Sequence, residues 1–528
     1  MKLIELISGA DIELVKKEAE SNDLLDELEI FDISSDSRRV KNGSLFVCLK
    51  GTKSDGHRYI GDAIEKGAVA VIIEGDGDFD RSVFDEEGAP LLLKAENTRR
   101  ALAFLWNTWF GHPGDGMKLV AVTGTNGKTS VTHMLRAIFS ASLYITGLIG
   151  TVVCYSGENR LSIRSEDENA NMTTPDPKEL FEMLSVMKRD GASVVFIEAT
   201  SHALALDKLA PLHFAAAVFT NLTPDHLDFH GSMENYLESK KKLFSMTDIA
   251  IINGDDAYGA RIAEAAEKGG CRNIRICSAD ENFRGDYSAM NVTSLGTDGV
   301  EYILSSVCSV FKIRSPIPGR FTVMNTLEAA ATALLLGIDC RNIQDALRHM
   351  GGIDGRFERV RLCAGAEFSV FIDYAHTPDA LENLLKTARG FRREGQRIVL
   401  LFGCGGDRDK SKRSTMGRIA SVLADFVIIT SDNSRSEDPS DIISDITVGF
   451  DFTRAHAVII ENREEAIYYA IKNALKGDII LFAGKGHEEY EIDRSGKHPF
   501  SEKKIAREAA ERYYGIGNSY SRRASEGI

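Results

Sequence analysis

The sequence contains no apolar run of about 18 residues, the length a membrane-spanning helix requires, so none is expected and no membrane partner with it. Positive charge is in deficit. Lys and Arg number 63 against 78 Asp and Glu, a formal charge of −15. That disfavours nucleic acid as a partner, because a phosphate backbone asks for a basic face. It leaves room for a local basic pocket around a small anion. The eight cysteines stand at 48, 154, 271, 277, 308, 340, 363 and 404, and no two form a C-x-x-C pair. Neither a zinc knuckle nor a disulfide frame is expected, and reduced thiols suit a cytoplasmic location. Glu5 and Asp11 interrupt the first segment too early for a secretory signal. There is no internal repeat and no low-complexity segment. Hydrophobic residues at 43% and charged residues at 27% give an ordinary globular balance, which excludes wholesale disorder.

Short β-branched apolar runs recur between helical stretches. They include SLFVCL (44–49), AVAVIIEG (68–75), KLVAVTG (118–124), SVVFIEAT (193–200), AAAVFTNL (215–222) and IAIINGDD (249–256). Later come VFIDYAH (370–376), RIVLLFGCGG (397–406), DFVIITSDN (425–433) and DIILFAGKG (478–486). Continuous apolar strands alternating with helices indicate α/β domains with buried parallel sheets. At about 150 residues per domain, 528 residues predict roughly three to four domains. Two Gly-rich breaks, GHPGDG (111–116) and MGGIDGR (350–356), divide the chain into 1–111, 112–351 and 352–515. Residues 516–528 lack apolar periodicity and read as a frayed, disordered tail. The stretch 270–315 reads as an edge hairpin of the middle domain.

KLVAVTGTNGKTSVTHMLRAIF (118–139) is the sharpest local signal. A buried strand ends at Thr123, a Gly-rich turn follows, and a helix starts near Lys128. Successive backbone N–H groups and a helix N-terminus can cradle phosphate oxygens. Lys128 can reach the outer phosphates and the Thr129 hydroxyl can ligate Mg²⁺. The usual G-x-x-x-x-G-K-[ST] spacing fails, because Val122 stands where its first glycine would be. Glu198 ends an apolar strand. A carboxylate there points into a ligand crevice and could hold Mg²⁺, or it could pair with a nearby cation. Asp225, His226, Asp228 and His230 crowd one loop without a zinc spacing, and Mg²⁺ prefers oxygen to imidazole. Taken alone, these histidines read as solvated. ENYLESKKKLF (234–244) reads as a helix with a basic face, of which one lysine could face the crevice. A nucleotide site of this kind could serve a kinase, a switch ATPase or a ligase.

Ten runs in one order narrow the choice. They are GTNGKTS (124–130), EATSH (198–202), TNLTPDHLDFHG (220–231), YLESK (236–240), GRFTVMN (319–325), GRFE (355–358), DYAHTPD (373–379), GGDRDKSKR (405–413), the DN-R-E-DP residues of 432–439, and GKGHE (484–488). Together with DSR (36–38) they resemble the MurE-type Mur ligases from residue 36 to about 490. The resemblance implies three α/β domains: an N-terminal UDP-binding domain, a central P-loop ATPase domain and a C-terminal Rossmann-like domain. It implies a cytoplasmic peptidoglycan enzyme that spends ATP, with Mg²⁺, to add the third amino acid to UDP-N-acetylmuramoyl-L-Ala-D-Glu. A monomer is expected.

The resemblance also assigns roles. Gly124, Thr125, Asn126, Gly127, Lys128, Thr129 and Ser130 would hold the ATP phosphates, with Asn325 near the adenine and Arg356, Asp373 and His376 reaching ATP from the third domain. Thr129 and Glu198 would bind a first Mg²⁺. His226 and Lys240 would serve a second, Lys240 as a carbamate. Ser37, Thr173, Thr174, Thr200 and Lys208 would hold the UDP-sugar peptide. Lys208 stands where the family usually has Arg, so a bidentate fork is lost there. Arg408, Asp432, Asn433, Ser434, Arg435, Gly484 and Glu488 match the amino-acid pocket. Ser434 replaces the proline of the D-N-P-R run that marks diaminopimelate users, which removes a fixed φ. The retained Arg435 suits a distal carboxylate. meso-Diaminopimelate is therefore favoured over L-lysine or L-ornithine. A folylpolyglutamate-type ligase, lacking the UDP domain, and a P-loop regulatory ATPase are the rival readings.

Overall fold

A computed structural model describes residues 1–15, 25–51, 54–75, 79–84, 88–161 and 172–515. The expected tail, 516–528, lies outside them. Internal packing divides the chain into two compact units, Met1–Ile276 and Cys277–Ile528.

The first unit carries two sheets. Four parallel strands, Asp32–Ser34, Ser44–Val47, Ala68–Glu74 and Leu91–Ala95, lie in chain order, and Ile12–Leu14 adds antiparallel at the end. The other has the parallel spatial order Ile249–Asn253, Ala216–Phe219, Lys118–Thr123, Val194–Glu198, Thr146–Ile149. From Lys118–Thr123 the chain first builds to one side and then crosses to the other. The order reverses at that strand's carboxyl end, where open α/β sheets bind ligands. Both faces of these strands are covered, so their residues are almost continuously apolar and buried. One apolar core runs through both sheets and includes Leu105, Trp106, Phe181, Ile197 and Phe219.

In the second unit, Tyr287–Ser294, Val300–Ser306 and Val310–Ser315 form an antiparallel meander. This exceeds the expected hairpin by one strand. The tripeptide Val307–Ser309 supplies a second tight reversal that ordinary serine and cysteine residues carry without a Gly-Asn signature. The second sheet orders Ser369–Asp373, Ile479–Ala483, Ile398–Phe402, Phe426–Ile429 and His456–Ile459 in parallel. Alternate residues feed opposite cores. Phe371, Leu400, Val427 and Leu481 face one helical layer, and Ile372, Leu401, Ile428 and Ile480 face the other. Each such buried side chain stabilises the fold by roughly 1.5–3 kcal/mol. The loops after the three adjacent strands ending at 483, 402 and 429 therefore converge, as do the chemical residues they carry.

Candidate active site

The phosphate loop of the first unit is held by its neighbour strand's exit. The Thr125 N–H donates to Asn221 O (2.9 Å), and the Asn126 N–H donates to Asn221 Oδ1 (2.9 Å). Thr220 Oγ1 donates to Asn126 O, and Thr125 Oγ1 lies 3.1 Å from the Tyr236 hydroxyl. The run 220–225 thus braces the loop. Gly124 has φ 156°, and a Cβ there would come within 1.9 Å of Thr220 Oγ1. Gly127 caps the following helix, Lys128–Ala141, with φ 89°, a conformation that costs other residues energy. Lys128 Nζ folds back to donate to Gly124 O and Thr125 O (2.9 Å each).

Beneath the loop sits the fully buried Glu198. Its Oε2 accepts from Thr129 Oγ1 (2.9 Å) and Thr151 Oγ1 (3.0 Å), and its Oε1 accepts from the Thr151 N–H (2.9 Å). Gly150 makes this possible, since a Cβ there would stand 2.2 Å from Glu198 Oε1. Sequence reasoning missed Thr151 and Gly150, although the LIGT run (148–151) after an apolar strand carries the signal.

A cavity of about 340 Å³ opens beside the loop, lined by Gly124, Lys128, Thr173, Thr200, His226 and Lys240, with Met172, Ser201, His202 and Tyr236. Of the three consecutive lysines, Lys241 pairs with Glu238 and Lys242 with Asp207. Lys240 alone is buried, its ammonium 4.6 Å from the Tyr236 ring centroid. Burial, then the Lys128 charge, pushes its pKa well down, against a smaller pull from Asp225. His226 is half-exposed with φ 53°, and its Nε2 lies 3.4 Å from Asp225 Oδ2. His202, which the sequence reading did not single out, stacks edge-on to His226. Burial, with His226 and His230 nearby, pushes its imidazole down to about 4. It is a neutral ring at pH 7.

Thr174 lies behind the cavity, donating to Glu198 O (2.6 Å) and touching Thr200 Oγ1 (3.0 Å). Lys208 is buried and paired with Asp176 (2.6 Å). It lines a second cavity of about 320 Å³ with Ser34, Asp36, Arg39, Arg99 and Trp106. Ser37 is not on that wall. It is buried in a short 3₁₀ turn, its carbonyl accepting from Lys66 Nζ (3.0 Å).

The second unit assembles the predicted amine pocket. Arg435 has φ 51°, and its Nη1 donates to Gly406 O (3.0 Å) and Asn433 O (3.3 Å). Asp432 and Asn433 are buried. Asn433 Nδ2 donates to Glu488 Oε2 (2.8 Å). Burial, then the Asp432 charge, raises the Glu488 carboxyl above its ordinary value. For Asp432 itself burial is outweighed by Lys485 and Arg463, and its pKa is lowered. Gly484, at φ 120°, brings its backbone so near Asp432 that a Cβ would meet Oδ2 at 2.4 Å. Ser434 is buried. Arg408 is exposed at the end of the 403–408 loop. Asp373 accepts from the N–H groups of Phe357 (2.8 Å) and Ala375 (3.0 Å), and the Arg356 guanidinium lies 5.4 Å from the Tyr374 ring. His376 is exposed, and Asn325 is buried in the helix Arg320–Leu335.

A glycine phosphate loop at a sheet reversal, an acid and a lysine buried beside it, and a Rossmann-like module with an Arg-bearing pocket define a nucleotide-dependent α/β ligase. The chain belongs to the Mur ligase family. Its residues match the Mur ligase family, catalytic domain (29–103), the Mur ligase middle domain (122–333) and the Mur ligase, glutamate ligase domain (355–486). It is 42% identical to a UDP-N-acetylmuramoyl-L-alanyl-D-glutamate--2,6-diaminopimelate ligase of Syntrophomonas wolfei, covering 96% of this chain and 99% of the relative. A solved structure of a ligase with that name is similar at TM-score 0.68 and 29% identity, over 97% of this chain and 99% of that one. E. coli FolC, solved with DHPP and ADP, is similar at TM-score 0.55 and 18% identity over 74% of this chain and 90% of its own. That likeness is one of fold. The chain is an ATP-dependent amide ligase of the Mur type, and both rival readings, folylpolyglutamate-type ligase and regulatory ATPase, fall.

Proposed function

We propose that the protein adds meso-diaminopimelate to the D-Glu γ-carboxylate of UDP-N-acetylmuramoyl-L-Ala-D-Glu, in peptidoglycan precursor synthesis. The observation that carries this reading is Arg435. Its guanidinium is anchored by two carbonyls and acts on the nearby Glu488 carboxylate. A planar fork suits a carboxylate, and an adjacent acid suits an ammonium. Diaminopimelate carries both at its far end. Lysine and ornithine carry only an ammonium there.

Amide formation from a carboxylate needs a better leaving group than oxide. The acceptor carboxylate attacks the γ-phosphorus of ATP, breaking the bond to the β-phosphate oxygen and releasing ADP. The amine then attacks the acyl carbon of the mixed anhydride, loses a proton, and expels phosphate. The first step brings anions together, so positive charge and positioning carry most of the catalysis. Lys128 and the loop 124–130 would hold the ATP phosphates, through those N–H groups that Asn221 does not already take. Asn325, Arg356, Asp373 and His376 are assigned to the nucleotide, Thr173, Thr174, Thr200, Lys208 and Ser37 to the acceptor, and Arg408, Asp432, Asn433, Ser434, Arg435, Gly484 and Glu488 to the amine.

The donor set suits Mg²⁺ in part. Thr129 and Glu198 are hard oxygen donors buried together. Bound there, Mg²⁺ would supply charge neutralisation between the two anions. A free lysine amine at 240 does not suit it. An oxygen ligand results if the Lys240 amine, whose pKa burial pushes down, adds to CO₂ and loses a proton to water, giving a carbamate. His226 would complete that second position. We assign 1–111 to UDP binding, 112–351 to ATP and 352–515 to the amino acid. Among the described residues no helix is long and apolar enough to cross a membrane; a monomeric enzyme working in the cytoplasm is part of this proposal.

Phosphate release should require ATP, the UDP-linked dipeptide and an amine together. Tested with meso-diaminopimelate, L-lysine and L-ornithine, the first should give the highest kcat/KM. Hydrolysis that proceeds unchanged without the acceptor would overturn the ligase reading, and a preference for lysine or ornithine would overturn the choice of amine.

A further inference from the structure

Lys485 is completely buried, within reach of an acid and an amide. Its Nζ donates to Asn433 Oδ1 (2.9 Å) and to Tyr490 O (3.0 Å), and it lies 3.5 Å from Asp432 Oδ1. Asn433 Oδ1 also accepts from the Ile492 N–H (3.0 Å). An amide whose oxygen is claimed by two donors can present only its NH₂ on the other side. That side is where Asn433 Nδ2 meets Glu488 Oε2 at 2.8 Å. The orientation of the Glu488 carboxylate is thus inherited from Lys485 through Asn433.

The hairpin of Tyr490–Asp493 and Gly496–Pro499 is tied to the same loop. The Arg435 N–H donates to Ile492 O (3.1 Å), and Arg494 Nε donates to Ser436 O (2.9 Å). These bonds hold a non-glycine residue in left-handed backbone, at φ 51°, where the family's proline would otherwise stiffen the preceding position. The hairpin lies beyond the last of the matched motifs.

The geometry points to Lys485 as the positioning residue of the amine pocket: through Asn433 it aims the Glu488 carboxylate, and with the hairpin 490–499 it fixes the backbone that presents the Arg435 guanidinium, so that a diamino acid's zwitterionic end is gripped. Lys485 does not touch the amine. It acts by ordering the groups that do, and its charge pulls the pKa of both neighbouring acids down.

This inference rests on the amine-ligase reading above. Its test is steady-state kinetics of the full-length protein with meso-diaminopimelate, ATP and the UDP-linked dipeptide each varied. Lys485→Met is expected to raise the KM for the amine at least tenfold while the other two KM values stay within about twofold. The acid limb of kcat/KM for the amine should move to higher pH, since the downward pull of Lys485 on the Asp432 and Glu488 carboxyls is gone. Lys485→Arg should recover part of the loss. Arg494→Ala, on the exposed hairpin, should raise the same KM about two- to threefold. Equal rises in all three KM values, or no change in any, would overturn the proposal. Should Lys485→Met fail to fold, Lys485→Arg and Arg494→Ala decide it by the same split. A wild-type protein that prefers lysine or ornithine ends the diaminopimelate reading but leaves Lys485 testable with that amine. One that joins no amine ends both.

Discussion

The phosphate loop and the amine pocket manage charge in opposite ways. Around the loop, backbone groups are braced by Asn221 and Thr220, and the buried Lys240 faces an aromatic ring. In the amine pocket every buried charge is matched within the fold. Arg463 bonds Glu502, Lys485 faces Asp432, and Arg413 bonds Glu437 and Asp445. The first arrangement leaves the buried Lys240 with no carboxylate hydrogen-bonded to it among the described residues. The second uses internally balanced ions as rigid supports, and its selectivity comes from shape and orientation. Taking one partner from such a buried pair costs about 3–5 kcal/mol, so the supports resist change more than the residues they present.

Lys240→Ala should break the contrast most severely. Turnover is expected to fall by about a thousandfold or more, in the range seen when one transition-state charge contact is removed, while nucleotide affinity changes less than threefold. Calorimetry with ADP and single-turnover assays would measure both, and full activity would remove the carbamate assignment. Arg435→Ala comes next. The KM for diaminopimelate should rise about a hundredfold, as for the loss of a paired charge contact of 2–5 kcal/mol, with the KM for ATP unchanged. Equal effects on both would make Arg435 structural.

The pH dependence of the second unit sharpens the comparison further. Hydrogen bonds from Arg413 and then Lys410 hold the Glu437 carboxyl down to about 2. A depressed folded-state pKa adds stability that is complete above the unfolded value and is lost as pH falls through the folded one. Urea unfolding followed between pH 5 and pH 2 should therefore show falling stability, and Glu437→Gln should flatten that slope. The smallest effect is expected for Ser434→Pro. The Ser434 N–H makes no hydrogen bond among the described residues. Restoring the ring should lower the KM for the amine by no more than about threefold. A larger change, or a loss of folding, would mean that the serine backbone differs from the proline geometry.

The sequence disclosed the two sites unequally, for the same reason that they differ in charge. The phosphate loop is seven consecutive residues between a strand and a helix, so its chemistry can be read from one line. Lys128, Thr129 and Glu198 fell where strand ends put them. Ser37 lies off the wall of the cavity that Lys208 lines because its 3₁₀ turn buries the side chain and leaves Asp36 and Arg39 facing outward. His202, Thr151 and Gly150 went unread, because their importance lies in contacts 24 to 48 residues away along the chain. Lys485 lay inside the quoted GKGHE run, where only Gly484 and Glu488 were given roles.

Apolar run length and spacing were enough to settle the α/β class and to mark the glycine-rich turn between the strand Lys118–Thr123 and the helix Lys128–Ala141, because backbone periodicity and turn chemistry are local. Only folding decided that Lys240, and not Lys241 or Lys242, is the buried one, and that Lys485 orients Glu488. Burial and hydrogen-bond direction depend on what other parts of the chain bring alongside, and no window of neighbouring residues contains that information.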